Sequence, residues 1–166
     1  MTLSRAIENI ITILRFLQLL CENHNLDMQK MLNTQTNIEG RPKPKSVNLV
    51  STLARHFENM QKVINSVTVG VGHQLLDTIV ECVQGPCKDN QRTLVNGKIL
   101  DVCRELINMM SKQENLVPLG FIPEEVPPED DEEGIMETLD TFISKIATML
   151  VSLLEGEQDL EILQKM

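Results

Sequence analysis

The sequence predicts an all-α protein, either an antiparallel helix bundle or a short armadillo-like helical solenoid, with about five main helices and two short ones. Apolar residues recur at three- and four-residue spacing in several segments, as they do along one face of a helix. No segment alternates apolar and polar residues in the way that predicts a strand. With 166 residues and 42% apolar composition, the chain can bury one core, which Leu, Ile, Val and Met must fill because only 2% is aromatic.

The first predicted helix carries apolar residues from Ile7 to Cys21 and ends within 21–25. Apolar residues cover so much of its circumference that we expect other helices to pack on more than one side of it. A shorter helix is predicted from Leu26 to Leu32. The glycine and two prolines within 33–45 then predict an exposed loop.

Two further helices are predicted in the middle of the chain. Ser46 is the expected N-cap of the first, whose apolar positions keep helical spacing from Val50 to Val67. The glycine pair in Val69-Gly-Val-Gly72 is expected to form a turn. The second helix carries apolar residues from Leu75 to Val83 and should end at Gly85-Pro86, since glycine favours the left-handed cap and proline cannot continue a helix.

The last third of the chain predicts a brief turn at Leu94, a helix from Ile99 to Met110, a helix from Ile135 to Leu153 and a short helix from Leu160 to Met166. Between them, residues 118–134 are rich in proline and acidic residues, which predicts a flexible linker. The expected organisation is a helical core over 1–117, this linker over 118–134, and C-terminal helices over 135–166 that pack on the same core.

The charge distribution argues against nucleic acid and membrane partners. Residues 1–122 hold 13 Lys and Arg against 11 Asp and Glu, whereas 123–166 hold 2 against 13. A chain without a basic stripe is a poor phosphate binder and is repelled by anionic lipid. The most apolar stretch is interrupted by Arg15 and Gln18 and is too short to span a bilayer. The four scattered cysteines are expected to be reduced thiols in the cytosol.

Two acidic residues lie where apolar helical runs end. Glu22 follows the first helix, and Glu81 lies in the last turn of the helix that stops at Gly85-Pro86. The final carbonyl groups of a helix carry partial negative charge, so an acid there is unfavourable unless a cation or a hydrogen-bond donor compensates for it. Carboxylate and carbonyl oxygens are the ligands that Ca²⁺ prefers, and both are present at these ends.

Other kinds of site are also compatible with the residues at these two helix ends. Cys21 and His24 together with Cys82 and Cys87 could supply four zinc ligands if the ends met. Cys21 and His24 alone could form a thiol and base pair, although no third group to orient them is evident. The acidic segment 124–133 lacks the ligand spacing and central glycine of an EF-hand loop.

Two long runs closely resemble the RIH-associated domain of intracellular calcium-release channels, the inositol trisphosphate receptors and ryanodine receptors. The first is Leu14-Arg-Phe-Leu-Gln-Leu-Leu-Cys-Glu-Asn-His-Asn25, with Asp27 and Gln29 beyond it. The second is Gln84-Gly-Pro-Cys87 followed by Asn90-Gln91, and Met149-Leu-Val-Ser-Leu-Leu-Glu-Gly156 adds a third match. Residues 37–72 and the acidic linker depart from the family pattern, so the receptor branch stays open.

The resemblance implies a non-enzymatic, armadillo-like cytosolic module. In the family, two glutamates of this module and a backbone carbonyl of a separate C-terminal cytosolic domain form the activating Ca²⁺ site. Those glutamates align with Glu22 and Glu81, and His24 and Gln84 align with polar residues expected to orient them. Because the third ligand lies outside this chain, the isolated domain should bind Ca²⁺ weakly or not at all.

The function implied is calcium sensing and gating coupling within a homotetrameric channel, at the cytosolic face of the endoplasmic reticulum or a related calcium store. The expected partners are other domains of the same channel. The alternative is a free-standing helical scaffold for protein interactions that has no calcium role. Membrane-spanning helices encoded downstream would support the channel.

Overall fold

The computed structural model of the chain describes residues 2–112, 119 and 129–156, and the all-α fold class is confirmed there. The described residues form seven helices and no strand, with one isolated β-bridge between Thr36 and Pro42. The helices are α1 Leu3–Cys21, α2 Leu26–Asn33, α3 Leu49–Met60, α4 Val69–Val83, α5 Lys88–Val95, α6 Ile99–Met110 and α7 Glu129–Leu154.

Helix α4 lies at the centre of the fold. It packs against α1, α3 and α7, and it also contacts α2 and α5. Leu76, Cys82 and Val83 on this helix are fully buried. Contacts between Gly72 and Phe142 and between Asp77 and Lys145 advance together along α4 and α7, so these two helices run in the same direction.

The predicted third helix is too long, and the predicted glycine turn is wrong. Helix α3 ends at Met60 because Asn65 and Thr68 form a polar turn, in which Asn65 Oδ1 accepts from the Thr68 backbone nitrogen and Thr68 Oγ1 from the Asn65 nitrogen. Helix α4 then starts at Val69, so both glycines lie in its first turns. A Cβ atom at Gly72 would lie 2.7 Å from Phe142 Cε2, so this glycine lets α7 approach α4 closely.

Two local predictions need correction. Asn48 rather than Ser46 caps α3, through a 2.7 Å hydrogen bond from the Ser51 nitrogen to Asn48 Oδ1. The Ser46 hydroxyl instead accepts a hydrogen bond from the Gln35 nitrogen. The segment around Leu94 is the two-turn helix α5 rather than a brief turn.

The C-terminal predictions are tested in part. Helix α7 begins at Glu129, within the segment predicted as linker, and extends to Leu154. Most of the remaining linker and the predicted helix 160–166 lie outside the described residues. Leu119 accepts a hydrogen bond from the Ser66 nitrogen and packs on the core.

Helix α1 has a second apolar face that the described chain leaves uncovered. Leu14 and Cys21 are buried, but Ile13 is 61% exposed and Phe16 is 60% exposed. The predicted covering of α1 on more than one side is therefore not seen among the described residues. Among the residues that the structure describes, no helix is long and apolar enough to cross a membrane.

Candidate functional site

The C-terminal ends of α1 and α4 meet at a pair of buried thiols. Cys21 and Cys82 have no exposed surface. The interaction between the two thiols lowers the pKa of Cys21, whereas the same interaction and burial raise the pKa of Cys82 well above its usual value. Glu22 directly follows one cysteine and Glu81 directly precedes the other, so the contact brings both acids to the same place.

The two carboxylates repel each other across this junction. Burial is the main cause that raises the pKa of Glu81, and the negative charge of Glu22 raises it further. His24 and Arg15 act in the opposite direction without cancelling the effect. Glu22 is exposed and Glu81 is half-buried. A cation placed between the two acids would therefore be attracted by both and would offset their repulsion.

The turn between α1 and α2 positions His24. Asn23 and His24 have φ angles of 60° and 57°, in the left-handed region that few non-glycine residues adopt. The turn ends at Asn25, whose Oδ1 accepts from the Met28 nitrogen and caps α2. These conformations reverse the chain within a few residues, so that α2 begins directly beside the junction.

The turn after α4 packs against this first turn. Gly85 has a φ angle of +86°, and a Cβ atom there would lie 2.5 Å from His24 Cγ. Only glycine allows the imidazole to approach the backbone so closely. Gln84 is the C-cap of α4, and its backbone nitrogen donates to Val80 O. The structure thus places Glu22, Glu81, His24 and Gln84 around one junction.

Buried amide side chains support this junction, and the sequence reasoning gave them no role. Gln29 Nε2 on α2 donates to Glu81 O at 2.6 Å and to Gln84 O at 2.8 Å. Asn90 Nδ2 on α5 donates to Gln29 O at 3.0 Å and to Cys82 O at 2.7 Å. The sequence could have indicated this role, because Gln29 and Asn90 are polar residues at helix positions that face the core.

The end of α7 is fastened to the turn that follows α4. Glu155 Oε2 accepts from the Gly85 nitrogen at 2.9 Å. Gln91 Nε2, on α5, donates to Ser152 O at 2.8 Å and to Glu155 O at 3.0 Å. Lys88 Nζ reaches Glu155 O at 3.4 Å. These contacts explain why the third matching run, which ends at 156, lies close to the second in space.

The donor set suits a hard cation only in part. Glu22 and Glu81 supply carboxylate oxygens, whereas Ca²⁺ takes about 6–8 oxygen ligands. Among the described residues, no group of three or more His, Cys, Asp or Glu side chains is arranged to hold a metal ion. Two carboxylates alone therefore fall short of the oxygen ligands that a calcium ion takes.

The same geometry does not support the zinc and thiol alternatives. Tetrahedral zinc needs four close ligands, and the described cysteine and histidine side chains form no such group. Cys21 is fully buried, so a substrate could not reach its thiol, while His24 is exposed and packs on Gly85. Of the kinds of site considered from the sequence, the one built on the paired carboxylates of Glu22 and Glu81 is left.

Comparison with known proteins relates the sequence of this chain to a known family. Residues 4–107 match the model of the family described as RyR and IP3R Homology associated. The chain is also 27% identical over 153 residues to the inositol 1,4,5-trisphosphate receptor itr-1 of Caenorhabditis elegans. That alignment covers 89% of this chain but only 5% of the relative, so the chain corresponds to a small part of that receptor's length.

Proposed function

Because this chain belongs to the RyR and IP3R Homology associated family, we propose that it is a calcium-sensing and gating-coupling domain of an intracellular calcium-release channel. In this proposal Glu22 and Glu81 are calcium ligands, and His24 and Gln84 orient them. The domain has a non-enzymatic role. It acts within a homotetramer on the cytosolic face of the endoplasmic reticulum or a related calcium store.

The observation that carries the proposal is the pairing of Glu22 and Glu81 at joined helix ends. Each acid lies at the C-terminal end of a helix, where the carbonyl groups carry partial negative charge like its own. Burial and the charge of Glu22 raise the pKa of Glu81. A fold that only needed stability would gain by replacing one of these acids with a neutral residue. The buried Cys21–Cys82 contact instead keeps the carboxylates together.

The incomplete donor set supports a site that is shared between domains. Glu22 and Glu81 would hold the calcium ion together with oxygen atoms from elsewhere, and its positive charge would offset the repulsion between the two carboxylates. We assign those further oxygens to a separate C-terminal cytosolic domain of the same channel. High calcium then favours the conformation that brings the two domains together. This shift between conformations couples calcium sensing to gating.

The exposed face of α1 supports a position inside a larger assembly. Leu3, Ile13 and Phe16 are each at least 60% exposed, and Ile10 is 46% exposed. Apolar surface of this kind on one helix marks a contact with another protein surface. In the proposal, neighbouring domains of the channel cover it.

The test is the Glu81→Gln variant of the full-length protein that contains this chain. The change keeps the size of the side chain but removes one ligand charge. We expect the calcium concentration for half-maximal activation to rise by about tenfold or more, because calcium affinity follows the number of ligand charges. Glu105→Gln, which changes an exposed glutamate on α6, is the matched control and should leave the concentration unchanged. Unchanged calcium activation in Glu81→Gln would refute the proposal.

The second candidate is a free-standing scaffold for protein interactions without a calcium role. The exposed apolar face of α1 favours this reading as well, since it would dock a partner equally well. The coding sequence on both sides of the chain separates the two candidates. Membrane-spanning helices downstream are expected for the channel, and a stop codon at the end of the chain is expected for the scaffold.

A further inference from the structure

Gln29 connects the two chain segments that carry the paired glutamates. It lies on α2, which begins directly after the turn that contains Glu22. Its side-chain nitrogen crosses to the end of α4 and donates to the backbone oxygens of Glu81 and Gln84, at 2.6 and 2.8 Å. One amide group therefore links the helix that follows the Glu22 turn to the backbone of Glu81.

A second buried amide holds Gln29 in place. Asn90 Nδ2 donates to the Gln29 backbone oxygen and to Cys82 O, and neither Gln29 nor Asn90 has exposed surface. Both hydrogen bonds are buried, where such bonds are stronger and less easily replaced by water. The position of Gln29 is thus fixed from α5 as well as from its own helix.

The environment of Gln29 is unfavourable for a residue that serves packing alone. Within the described residues, Gln29 Oε1 is buried and has no hydrogen-bond partner. A buried acceptor without a partner is destabilising, whereas methionine, with a side chain of similar length, would avoid this loss. Methionine would, however, leave Glu81 O and Gln84 O without their donor. The hydrogen bonds that Gln29 Nε2 donates to Glu81 O and Gln84 O therefore explain why an amide occupies this buried position.

We infer that Gln29 is a positioning residue of the calcium site, which fixes the end of α4 relative to the Glu22 turn so that both carboxylates face one ion. The inference rests on the proposed function. Gln29 does not touch the ion in this arrangement. It acts through the backbone of Glu81 and Gln84, while the Cys21–Cys82 contact holds the other side of the junction.

The experiment measures calcium activation of the full-length protein in Gln29→Met and Gln29→Asn variants. Gln29→Met removes both hydrogen bonds, and we expect the calcium concentration for half-maximal activation to rise about tenfold, as is usual when a partner that orients a metal ligand is removed. Gln29→Asn keeps the amide on a shorter side chain, so a smaller rise is expected. The maximal response per folded molecule should change little in either variant.

Leu106→Ala is the control for a loss of stability alone. Leu106 is fully buried on α6, away from the junction, so its truncation should reduce the amount of folded protein without changing the half-maximal calcium concentration. If Gln29→Met does not fold, the rise expected in Gln29→Asn decides the matter. An unchanged calcium concentration in the folded Gln29 variants would overturn the inference if Glu81→Gln still raises it. An unchanged value in Glu81→Gln would instead overturn the proposed function.

Discussion

Gly85→Ala should destabilise the protein more than any other single methyl group added to a turn in the described chain. The φ angle of Gly85 is +86°, and the added Cβ would lie 2.5 Å from His24 Cγ and 2.6 Å from His24 Cβ. The left-handed conformation alone costs an alanine about 1–2 kcal/mol. Overpacking adds about 1–3 kcal/mol, which gives a total of about 2–5 kcal/mol.

Gly40→Ala is the matched control, because it shares the strain but lacks the contact. Its φ angle is +75°, and nothing lies within 4 Å of an added Cβ. Only the cost of about 1–2 kcal/mol for the backbone conformation is expected. Equilibrium unfolding in urea gives the free energy of unfolding for each variant. If Gly85→Ala is no more destabilising than Gly40→Ala, the packing of His24 against Gly85 described above is wrong.

Two further predictions concern the α4–α7 contact and the pH dependence of stability. Gly72→Ala should lower the free energy of unfolding by about 1–2 kcal/mol, since the added Cβ would lie 2.7 Å from Phe142 Cε2. Gly70→Ala is the control, because nothing lies within 4 Å of its added Cβ, and its free energy of unfolding should be equal to that of the wild type or slightly higher. Urea unfolding measures both variants. The raised pKa of Glu81 means that the folded state binds its proton more tightly than the unfolded state, so this group's contribution to stability is present below pH 4.5 and is lost as the pH rises through the folded pKa. The difference in free energy of unfolding between the wild type and Glu81→Gln, measured in urea, should therefore fall between pH 4.5 and neutrality. The fall should be smaller when both proteins also carry Glu22→Gln, because Glu22 is one cause of the raised pKa. A difference that stays flat or rises with pH would contradict a raised pKa of Glu81.

Local signals predicted the helix ends that build the candidate site. Gly85-Pro86 ends a helix by backbone geometry alone, and α4 does end at Val83. The apolar spacing before Glu22 likewise predicted a helix that ends within 21–25, and α1 ends at Cys21. That both carboxylates lie at helix ends therefore follows from the sequence. That the two ends meet does not, because no local pattern specifies which distant helices pack together.

The errors arose where contacts between distant residues decide the local structure. Gly72 was expected to break a helix, but its place in α4 is explained by Phe142, far away in the sequence. Helix α5 was missed because Asn90 and Gln91 occupy buried positions that an amphipathic pattern assigns to apolar residues. Their side-chain nitrogens donate to carbonyl groups of other helices, which offsets part of the cost of burial, and those partners cannot be read from local sequence.

The measurement that tests the central claim most directly is a double-mutant cycle on calcium activation of the full-length protein. The half-maximal calcium concentration is compared among the wild type, Glu22→Gln, Glu81→Gln and the double variant. If both carboxylates bind one ion, each single change weakens the same site. The logarithm of the half-maximal calcium concentration should then rise in the double variant by clearly less than the sum of the two single rises. Additive shifts, or no shift in either single variant, would contradict a shared calcium site at the junction of α1 and α4.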